Sequence, residues 1–409
     1  MKTLEPALYQ RTEVEVEPQD LLAWLSTQST TTKFYWSSRD GDFQVAASGV
    51  LHLIEGEKVP TKHLHPRMRY YGGFAFDPHQ TTKEWDPFGK SFFFIPEFEI
   101  FVQQGKYHFA HNYISAQSEK YFESLSTRIK ARGPQRISSV SERTDLPRKK
   151  DWEDNVRQAI EKFDDNFKKV VLARRSRICF DENPDPFDLM KALQIHAGSC
   201  FHFLFQKEGA TFLGASPERL YRREKDNLFT EAIAGTRPRG ETPQQDKQLI
   251  ENLKKAQKDL YEQKLVADMI QQNLQECCTK IEKEKLASVL SLQTGHHLIS
   301  RFEGRLKQNT HDQELLRRLH PTPAVAGWPK SQALEIIRSM EPFSRGWYAG
   351  PIGYLGQESS EFAVAIRSGL LYKNELYLYA GAGIVPGSDP QGEWDEVEQK
   401  LRLFLNLWS

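Results

Sequence analysis

The sequence predicts an α+β protein with antiparallel sheets, and two observations predict it. Short apolar and aromatic segments follow one another through the first third of the chain. Regular short strands in succession are typical of antiparallel sheet. Beyond residue 150, strands are interspersed with long helices without a strict βαβ alternation, which favours α+β over α/β.

The N-terminal strands are recognised by alternating polar and apolar residues and by glycine or proline at their ends. Residues 12–17 alternate polar side chains with Val14 and Val16. The further strands are predicted at residues 45–54, 70–76, 92–95, 98–103 and 107–112. Residues 134–151 are polar, basic and contain proline, and they predict a linker.

The remainder of the chain mixes helices and strands. A helix at 152–167 leads into a strand at 169–178, and a last helix covers 392–407. The longest helical pattern, 243–276, carries an apolar stripe formed by Leu249, Leu253, Leu260, Leu265 and Met269. Further strands are predicted at 201–206, 211–214, 298–306, 362–367 and 376–380.

Composition excludes several classes of function. Lys+Arg and Asp+Glu are both 55 in 409 residues, so the formal net charge is +0, whereas proteins that hold a nucleic acid mainly through its phosphates usually show a basic excess. The four cysteines include no CxxC spacing, which argues against a zinc site or a disulfide framework. The first residues contain no apolar run suited to a signal peptide or membrane span. We therefore expect a cytoplasmic protein without nucleic acid or membrane partners.

The last helix combines a buried stripe with an acidic face. Its stripe consists of Trp394, Val397, Leu401, Phe404 and Trp408. Glu393, Glu396 and Lys400 recur at the same steps one residue out of phase and share an adjacent face. This face is either a solvated Glu–Lys pair or part of a ligand site. The glycine-rich strand end at 380–385 favours a ligand, because small residues let backbone N–H groups approach an anion.

Other carboxylates and one lysine stay undecided when taken singly. Asp259 and Glu262 lie three residues apart on the long helix, and carboxylates from two helices facing one cleft would suit Mg²⁺. Spacing alone does not bring the helices together. Glu218 on a turn after a strand is either catalytic or structural. Lys169 at a strand start is either a catalytic amine or an edge charge.

Taken in order, these segments resemble the chorismate-utilising enzymes, the family of isochorismate, salicylate, anthranilate and aminodeoxychorismate synthases. The resemblance covers about residue 152 to the C-terminus, and the N-terminal third carries no matching motif. The matching pieces are KVVLAR (169–174), GASPE (214–218), EAIAGTRPRG (231–240), HLISR (297–301), HPTPAVAGWP (320–329), the strand end at 366–367, AGAGIVPGSDP (380–390) and GEWDEVEQK (392–400).

The resemblance implies the architecture. The family's fold is α+β, with two large antiparallel β-sheets packed together and helices on the outside, as one intertwined domain. Residues 1–150 correspond to its variable β-rich N-terminal part, and residues 151–409 to the chorismate-binding catalytic region.

Two positions distinguish the family members. The ammonia-using synthases resemble one another in carrying glutamine where this chain has Lys169, and lysine is typical of enzymes that use water. Ala234 stands where aminodeoxychorismate synthases have lysine. Salicylate synthase remains the alternative, but HPTPAVAGWP and EPFSRGWYAGPIGY (341–354) look more like isochorismate synthase. The turn RPRG (237–240) resembles anthranilate synthase component I. A non-catalytic chorismate-binding protein is disfavoured, since Lys169 and Glu218 are both present.

The family resemblance also implies roles for individual residues. Lys169 would activate water for attack at ring C2 of chorismate, and Glu218 would protonate the departing C4 hydroxyl. Glu262 and Glu396 would hold Mg²⁺, with Asp259 and Glu393 acting through metal-bound water. The substrate-binding residues implied by the resemblance are Gly235, Thr236 and Lys400 for the ring carboxylate, Arg367, Tyr348, Gly381 and Gly383 for the enolpyruvyl carboxylate, and His297 as a hydrogen-bonding wall.

Two departures from the family pattern concern the metal region. The family usually has an acidic residue near Gln257 and histidine at Gln263, so metal affinity or pH dependence is expected to differ from relatives. The partner implied is chorismate alone, without an amidotransferase subunit, and the resemblance implies a monomer. Isochorismate feeds menaquinone or phylloquinone, catechol siderophores and salicylate, and no residue chooses among these pathways.

Overall fold

The protein is described by a computed structural model. Its helices pack around its β-sheets. The structure describes residues 9–56, 59–60, 65–80, 82–114, 137–284 and 287–408. Its helices in these residues are α1 (Leu21–Thr27), α2 (Lys149–Glu161), α3 (Pro186–Ala197), α4 (Pro243–Lys255), α5 (Gln257–Cys277), α6 (Asp312–Leu319), α7 (Lys330–Met340) and α8 (Pro390–Leu405).

The larger sheet has twelve strands within the described residues. They are β1 (Gln10–Val16), β2 (Lys33–Ser37), β3 (Phe43–Ser48), β7 (Phe98–Gln103), β8 (Lys106–Tyr113), β9 (Val140–Leu146), β10 (Lys169–Phe180), β11 (Phe201–Lys207), β12 (Ala210–Ser216), β18 (Gly327–Trp328), β21 (Ser368–Tyr372) and β22 (Glu375–Ile384). Their spatial order is β1-β8-β7-β3-β2-β11-β12-β21-β22-β10-β18, and β9 also pairs with β10.

The smaller sheet has ten strands in the same part of the chain. They are β4 (His52–Glu55), β5 (Arg69–Phe74), β6 (Ser91–Ile95), β13 (Arg219–Glu224), β14 (Asn227–Arg237), β15 (Cys278–Lys283), β16 (Ser288–Leu292), β17 (Gly295–Leu306), β19 (Pro351–Gly356) and β20 (Ser359–Val364). Their order is β15-β17-β14-β13-β20-β19-β5-β6-β4, and β16 pairs with β17. The pairings described in both sheets are antiparallel, as the sequence predicts.

The two sheets face each other across a layer of aromatic side chains. Phe205 on β11 of the larger sheet stacks on Phe94 on β6 of the smaller sheet, with ring centroids 5.8 Å apart. Phe34 on β2 meets the same Phe94 edge-on at 6.4 Å. Aromatic rings bury large apolar areas and prefer such offset or edge-on geometries. This layer confirms the predicted α+β fold with two antiparallel sheets packed together.

Several predicted boundaries are wrong, each for a local reason. Of the predicted linker 134–151, residues 137–151 are described, and they are not a linker, because β9 within them pairs with β10 and α2 already begins at Lys149. The predicted strand 45–54 is two strands in different sheets, separated by Gly49 at φ +79°. Glycine adopts this left-handed conformation without the steric penalty of a side chain.

The long helix predicted at 243–276 is also divided. Ala256 is extended (φ −70°, ψ 108°) and separates α4 from α5. No glycine or proline marks this break in the sequence. Of the predicted stripe, Met269 is buried on α5, whereas Leu260 and Leu265 are only partly buried. The buried face of α5 also includes Asp259 and Gln263, so it carries polar side chains that the stripe did not predict.

The last helix follows the prediction more closely. Asp389 caps α8 by accepting a hydrogen bond from Gly392 N–H at 2.8 Å, and Pro390 occupies its first turn. Val397, Leu401 and Phe404 of the predicted stripe are buried. None of the helices in the described residues combines the length and apolar character needed to cross a membrane.

Candidate active site

The candidate active site is a cleft where the chain passes from one sheet to the other. Pro217 and Glu218 connect β12 of the larger sheet to β13 of the smaller one, and Arg367 lies on the return from β20 to β21. The two crossings are joined by hydrogen bonds, from Ala215 N–H to the Arg367 carbonyl at 3.1 Å and from Val364 N–H to the Glu218 carbonyl at 3.0 Å. Backbone hydrogen bonds thus hold the residues at the cleft in place.

The cleft encloses a cavity of about 90 Å³ and opens to solvent. Residues from both sheets and from α5 and α8 line it. The lining includes these residues predicted from the sequence: Glu218, Gly235, Thr236, Glu262, His297, Tyr348, Arg367, Gly381, Gly383, Glu396 and Lys400. Lys169, Asp259 and Glu393 are not lining residues. Lys169 pairs with the lining residue Glu262, and Asp259 lies behind the lining residue Gly235, 2.9 Å from the position that a Cβ there would take.

Lys169, the first residue of β10, is fully buried. Its Nζ donates to Glu262 Oε1 of α5 at 2.7 Å. Gly383 on β22 makes this contact possible, because a Cβ there would lie 2.4 Å from Glu262 Oε1 and 3.1 Å from Lys169 Cε. The glycine-rich strand end therefore admits a lysine–carboxylate pair against the backbone.

Glu218 is a buried carboxyl group, 4% exposed. Its N–H donates to Ser216 Oγ at 3.2 Å, and its Oε1 accepts from Thr322 Oγ1 at 3.5 Å. Burial raises the pKa of Glu218 to about 8, with Glu231 adding to the rise and Lys169 opposing it. The group is accordingly protonated at neutral pH and available as a proton donor.

The four candidate metal-binding carboxylates on α5 and α8 are each paired with a cation. Lys169 pairs with Glu262, as described above. The others are Lys258 Nζ to Glu393 Oε1 at 2.5 Å, Lys400 Nζ to Glu396 Oε1 at 2.7 Å, and Arg237 to Asp259 Oδ2 at 2.7 Å. In the described part of the chain, no three acidic, histidine or cysteine side chains form a preassembled metal cluster.

The electrostatics of these carboxylates suit a hard divalent cation. Burial, together with the charge of Glu396, raises the pKa of Glu393, whose Oε2 is buried without a hydrogen-bond partner among the described residues. Burial also opposes ionisation of Glu396, but Lys400 outweighs it and lowers the pKa of that carboxyl. Mg²⁺ prefers oxygen ligands and few protein carboxylates, so an unpartnered oxygen beside anionic glutamates fits it.

A second polar group lies on the opposite wall. Arg367, at φ +50°, donates to Thr294 Oγ1 and to His297 Nε2, the latter at 3.0 Å. Burial and the charge of Arg367 hold the pKa of His297 well below its ordinary value. Neutral His297 accepts from Arg367 at Nε2 and donates from Nδ1 to Thr236 Oγ1 at 3.1 Å. Among the described residues Arg367 has no carboxylate partner, so its guanidinium is available to an anion.

Tyr348 and Lys400 complete this wall. Tyr348 stacks on Tyr379, and its hydroxyl lies 3.3 Å from the position a Cβ of Gly381 would take. Lys400 also donates to the Gly381 carbonyl at 2.8 Å. Gln263 points elsewhere, because its amide donates to Ser300 on β17 at 2.8 Å and ties α5 to the sheet.

Several functional neighbours were not identified from the sequence. Lys258 directly precedes Asp259 but faces Glu393, and Arg237 was noted only as part of a turn. Thr322 lies within the HPTPAVAGWP segment, and Thr294 has no signal in the sequence at all. The partners of carboxylates and guanidinium groups become visible only when the elements are assembled.

Comparison with known proteins gives concordant matches. Residues 53–408 match the family described as chorismate binding enzyme. The chain is 34% identical to isochorismate synthase, chloroplastic, of Catharanthus roseus, over 84% of this chain, and it spans 62% of that protein's length. It is 34% identical to isochorismate synthase MenF of Escherichia coli K12, covering 95% of this chain and 91% of the relative.

Solved structures agree with this. The structure of MenF, the menaquinone-specific isochorismate synthase from E. coli, has a TM-score of 0.86 at 30% identity, covering 98% of this chain and 95% of that one. Anthranilate synthase component I from Streptococcus pneumoniae TIGR4 shares the fold, with a TM-score of 0.75 at 23% identity over 89% of this chain and 92% of that chain.

Proposed function

The chain belongs to the family of chorismate-binding enzymes, and we propose on that premise that it is an isochorismate synthase. It adds water at ring C2 of chorismate and expels the C4 hydroxyl, an isomerisation that is balanced in atoms and electrons. The observation that carries the proposal is the presence, at one cleft, of a buried lysine and a buried carboxyl group that is protonated at neutral pH. Water addition with loss of hydroxide needs such a base and such an acid.

Glu218 is the proposed acid. Its raised pKa, about 8, keeps the proton on the carboxyl group at neutral pH. The C4 hydroxyl receives that proton and leaves as water instead of hydroxide, which lowers the barrier to bond cleavage.

Lys169 is the proposed base, and its ion pair with Glu262 has a consequence for the reaction. Lys169 Nζ donates to Glu262 Oε1 at 2.7 Å, so the nitrogen can face an attacking water only when Glu262 is engaged elsewhere. We propose that Glu262 and Glu396 hold Mg²⁺, with Asp259 and Glu393 reached through water. When bound, the ion supplies positive charge for the substrate's ring carboxylate.

The remaining cleft residues bind the two carboxylates of chorismate. Arg367 presents a guanidinium without a carboxylate partner among the described residues, and it is suited to the enolpyruvyl carboxylate beside Tyr348 and Gly381. Neutral His297 fixes the orientation of Arg367 and Thr236 through its two ring nitrogens. The substrate-binding set proposed on this basis is Gly235, Thr236, Lys400, Arg367, Tyr348, Gly381, Gly383 and His297.

Product identity separates the remaining possibilities. Salicylate synthase uses the same water addition and then eliminates pyruvate, and anthranilate synthase uses ammonia. The named isochorismate synthases among the relatives support water as the nucleophile and isochorismate as the released product. The solved relative from E. coli, named as menaquinone-specific, also supports a place in menaquinone synthesis.

The test is product analysis by HPLC after incubation with chorismate and Mg²⁺. We expect isochorismate from the wild type, and its loss with EDTA and in Lys169→Ala, whose rate falls on the order of 10²–10⁴-fold. Salicylate with pyruvate would move the assignment to salicylate synthase. Turnover only with added ammonium salts would refute water as the nucleophile.

A further inference from the structure

Arg39 comes from the N-terminal third of the chain, the part without a family motif, yet it contacts the turn that carries Glu218. It lies between β2 and β3, and its side chain is 7% exposed. One guanidinium nitrogen, NH1, donates to the Pro217 carbonyl at 2.9 Å and to Glu231 Oε2 at 2.8 Å, and NH2 donates to Glu231 Oε1 at 2.5 Å.

These three hydrogen bonds join parts of both sheets at one point. Pro217 directly precedes Glu218 where the chain leaves the larger sheet, and Glu231 lies on β14 of the smaller sheet. Glu231 is 4% exposed and also accepts from Arg219 NH1 at 3.0 Å. The planar fork of arginine serves both carboxylate oxygens and the carbonyl together, which the single ammonium of lysine does not.

We propose that Arg39 is a positioning residue for Glu218, acting through the Pro217 carbonyl and the Glu231 carboxylate. The proposal rests on the proposed function, in which Glu218 protonates the leaving hydroxyl. Pro217 lines the cleft and Arg39 does not, so Arg39 affects the reaction only through the turn it holds. A proton donor displaced by about 1 Å loses rate on the order of 100-fold.

The charges around Glu218 give a second signature. Lys169 on β10 and Lys400 on α8 favour its ionised form, whereas Glu231 on β14 opposes it; buried Tyr348 also lies nearby. Removing the charge of Arg39 leaves Glu231 with Arg219 as its remaining cation partner among the described residues, so Glu231 repels a Glu218 carboxylate more strongly. The alkaline limb of the rate profile then moves to higher pH in Arg39→Gln, whereas Arg39→Lys keeps the charge and the limb.

The experiment compares Arg39→Gln and Arg39→Lys with a matched control, Arg223→Gln. Arg223 is also buried and paired, with Asp312 Oδ2 at 2.9 Å, but it does not line the cleft. We measure kcat, KM and the alkaline limb of kcat for conversion of chorismate to isochorismate, per folded protein. We expect kcat to fall about 10- to 100-fold in both Arg39 variants with KM unchanged, and the control to keep the wild-type kcat and limb.

Wild-type kcat in both Arg39 variants, or an equal loss in the Arg223→Gln control, overturns the proposal. A kcat loss restricted to the Arg39 variants supports it. A shift of the alkaline limb of kcat in Arg39→Gln but not in Arg39→Lys distinguishes the effect of the charge of Arg39 from that of its hydrogen-bond geometry. The wild type, run alongside, tests the proposed function itself. A wild type that forms isochorismate beside unaffected Arg39 variants refutes only the positioning role. A wild type that converts no chorismate refutes the proposed function and this inference with it.

Discussion

Replacing Glu218 by glutamine is expected to stabilise the protein while it removes the proton donor. The side chain is 4% exposed and its pKa is raised from 4.5 to about 8, chiefly by burial. Between these two values the unfolded chain loses the proton while the folded chain retains it, so stability falls as pH rises from 4.5 to 8 and then levels off. At 1.36 kcal/mol per pH unit the loss reaches at most about 5 kcal/mol above pH 8, with about 3 kcal/mol at pH 7 and about 1 kcal/mol at pH 5.

Glutamine has nearly the same shape, does not ionise and still accepts from Thr322. The free energy of unfolding of Glu218→Gln should therefore rise, relative to that of the wild type, by up to roughly 4 kcal/mol from pH 5 to pH 9. Urea unfolding of both proteins without magnesium at pH 5, 7 and 9 measures this difference. In the same variant kcat should fall on the order of 10²–10⁴-fold. A stability difference that is the same at all three pH values would refute the reasoning, because it would mean that Glu218 ionises normally in the folded chain.

Three further predictions concern the cleft and the core. Arg367→Lys should raise KM for chorismate about 10- to 100-fold in steady-state kinetics, because lysine lacks the bidentate fork; an unchanged KM would place the substrate elsewhere. Gly383→Ala should raise the Mg²⁺ concentration for half-maximal activity on the order of 10-fold, since its Cβ would lie 2.4 Å from Glu262 Oε1, and an unaltered magnesium titration would contradict this. Arg345→Gln should lower the free energy of unfolding by about 3–5 kcal/mol in urea, because it leaves the buried Glu341 without its 2.5 Å partner; a loss below 1 kcal/mol would count against it.

The parts of the fold that the sequence predicted well are those with a strong local period. The stripe of α8 is read directly from Val397, Leu401 and Phe404, because burial of one helix face leaves a three- and four-residue spacing. The break at Ala256 leaves no such trace, since alanine favours helix and its extended conformation is imposed by the surrounding packing. Strand β9 is likewise not visible in the sequence, because its residues are mostly polar and are held as a strand by their pairing with β10.

The residues of the site were predicted in a different way from the helices and strands. The cleft-lining residues were predicted by resemblance to family motifs, and single spacings such as that of Asp259 and Glu262 did not determine them. What the motifs omit is the partner of each charged group. Arg39 reaches Glu231 across 192 positions of sequence, and Lys258 reaches Glu393 across 135. Such contacts depend on how two sheets and two helices are assembled, and no local pattern encodes them.

The charge balance of the cleft argues that metal and substrate bind together. Without a metal, four cations neutralise four carboxylates one to one, through the pairs Lys169–Glu262, Lys258–Glu393, Lys400–Glu396 and Arg237–Asp259. A divalent cation held by Glu262 and Glu396 would release Lys169 and Lys400 from their partners and add two positive charges to that of Arg367, which has no carboxylate partner among the described residues. The two carboxylates of chorismate would offset two of these three charges, and a charge that is neutralised on burial costs far less than one that is not. Each ligand should therefore tighten the binding of the other, and the reciprocity of linkage requires the two effects to be equal in free energy.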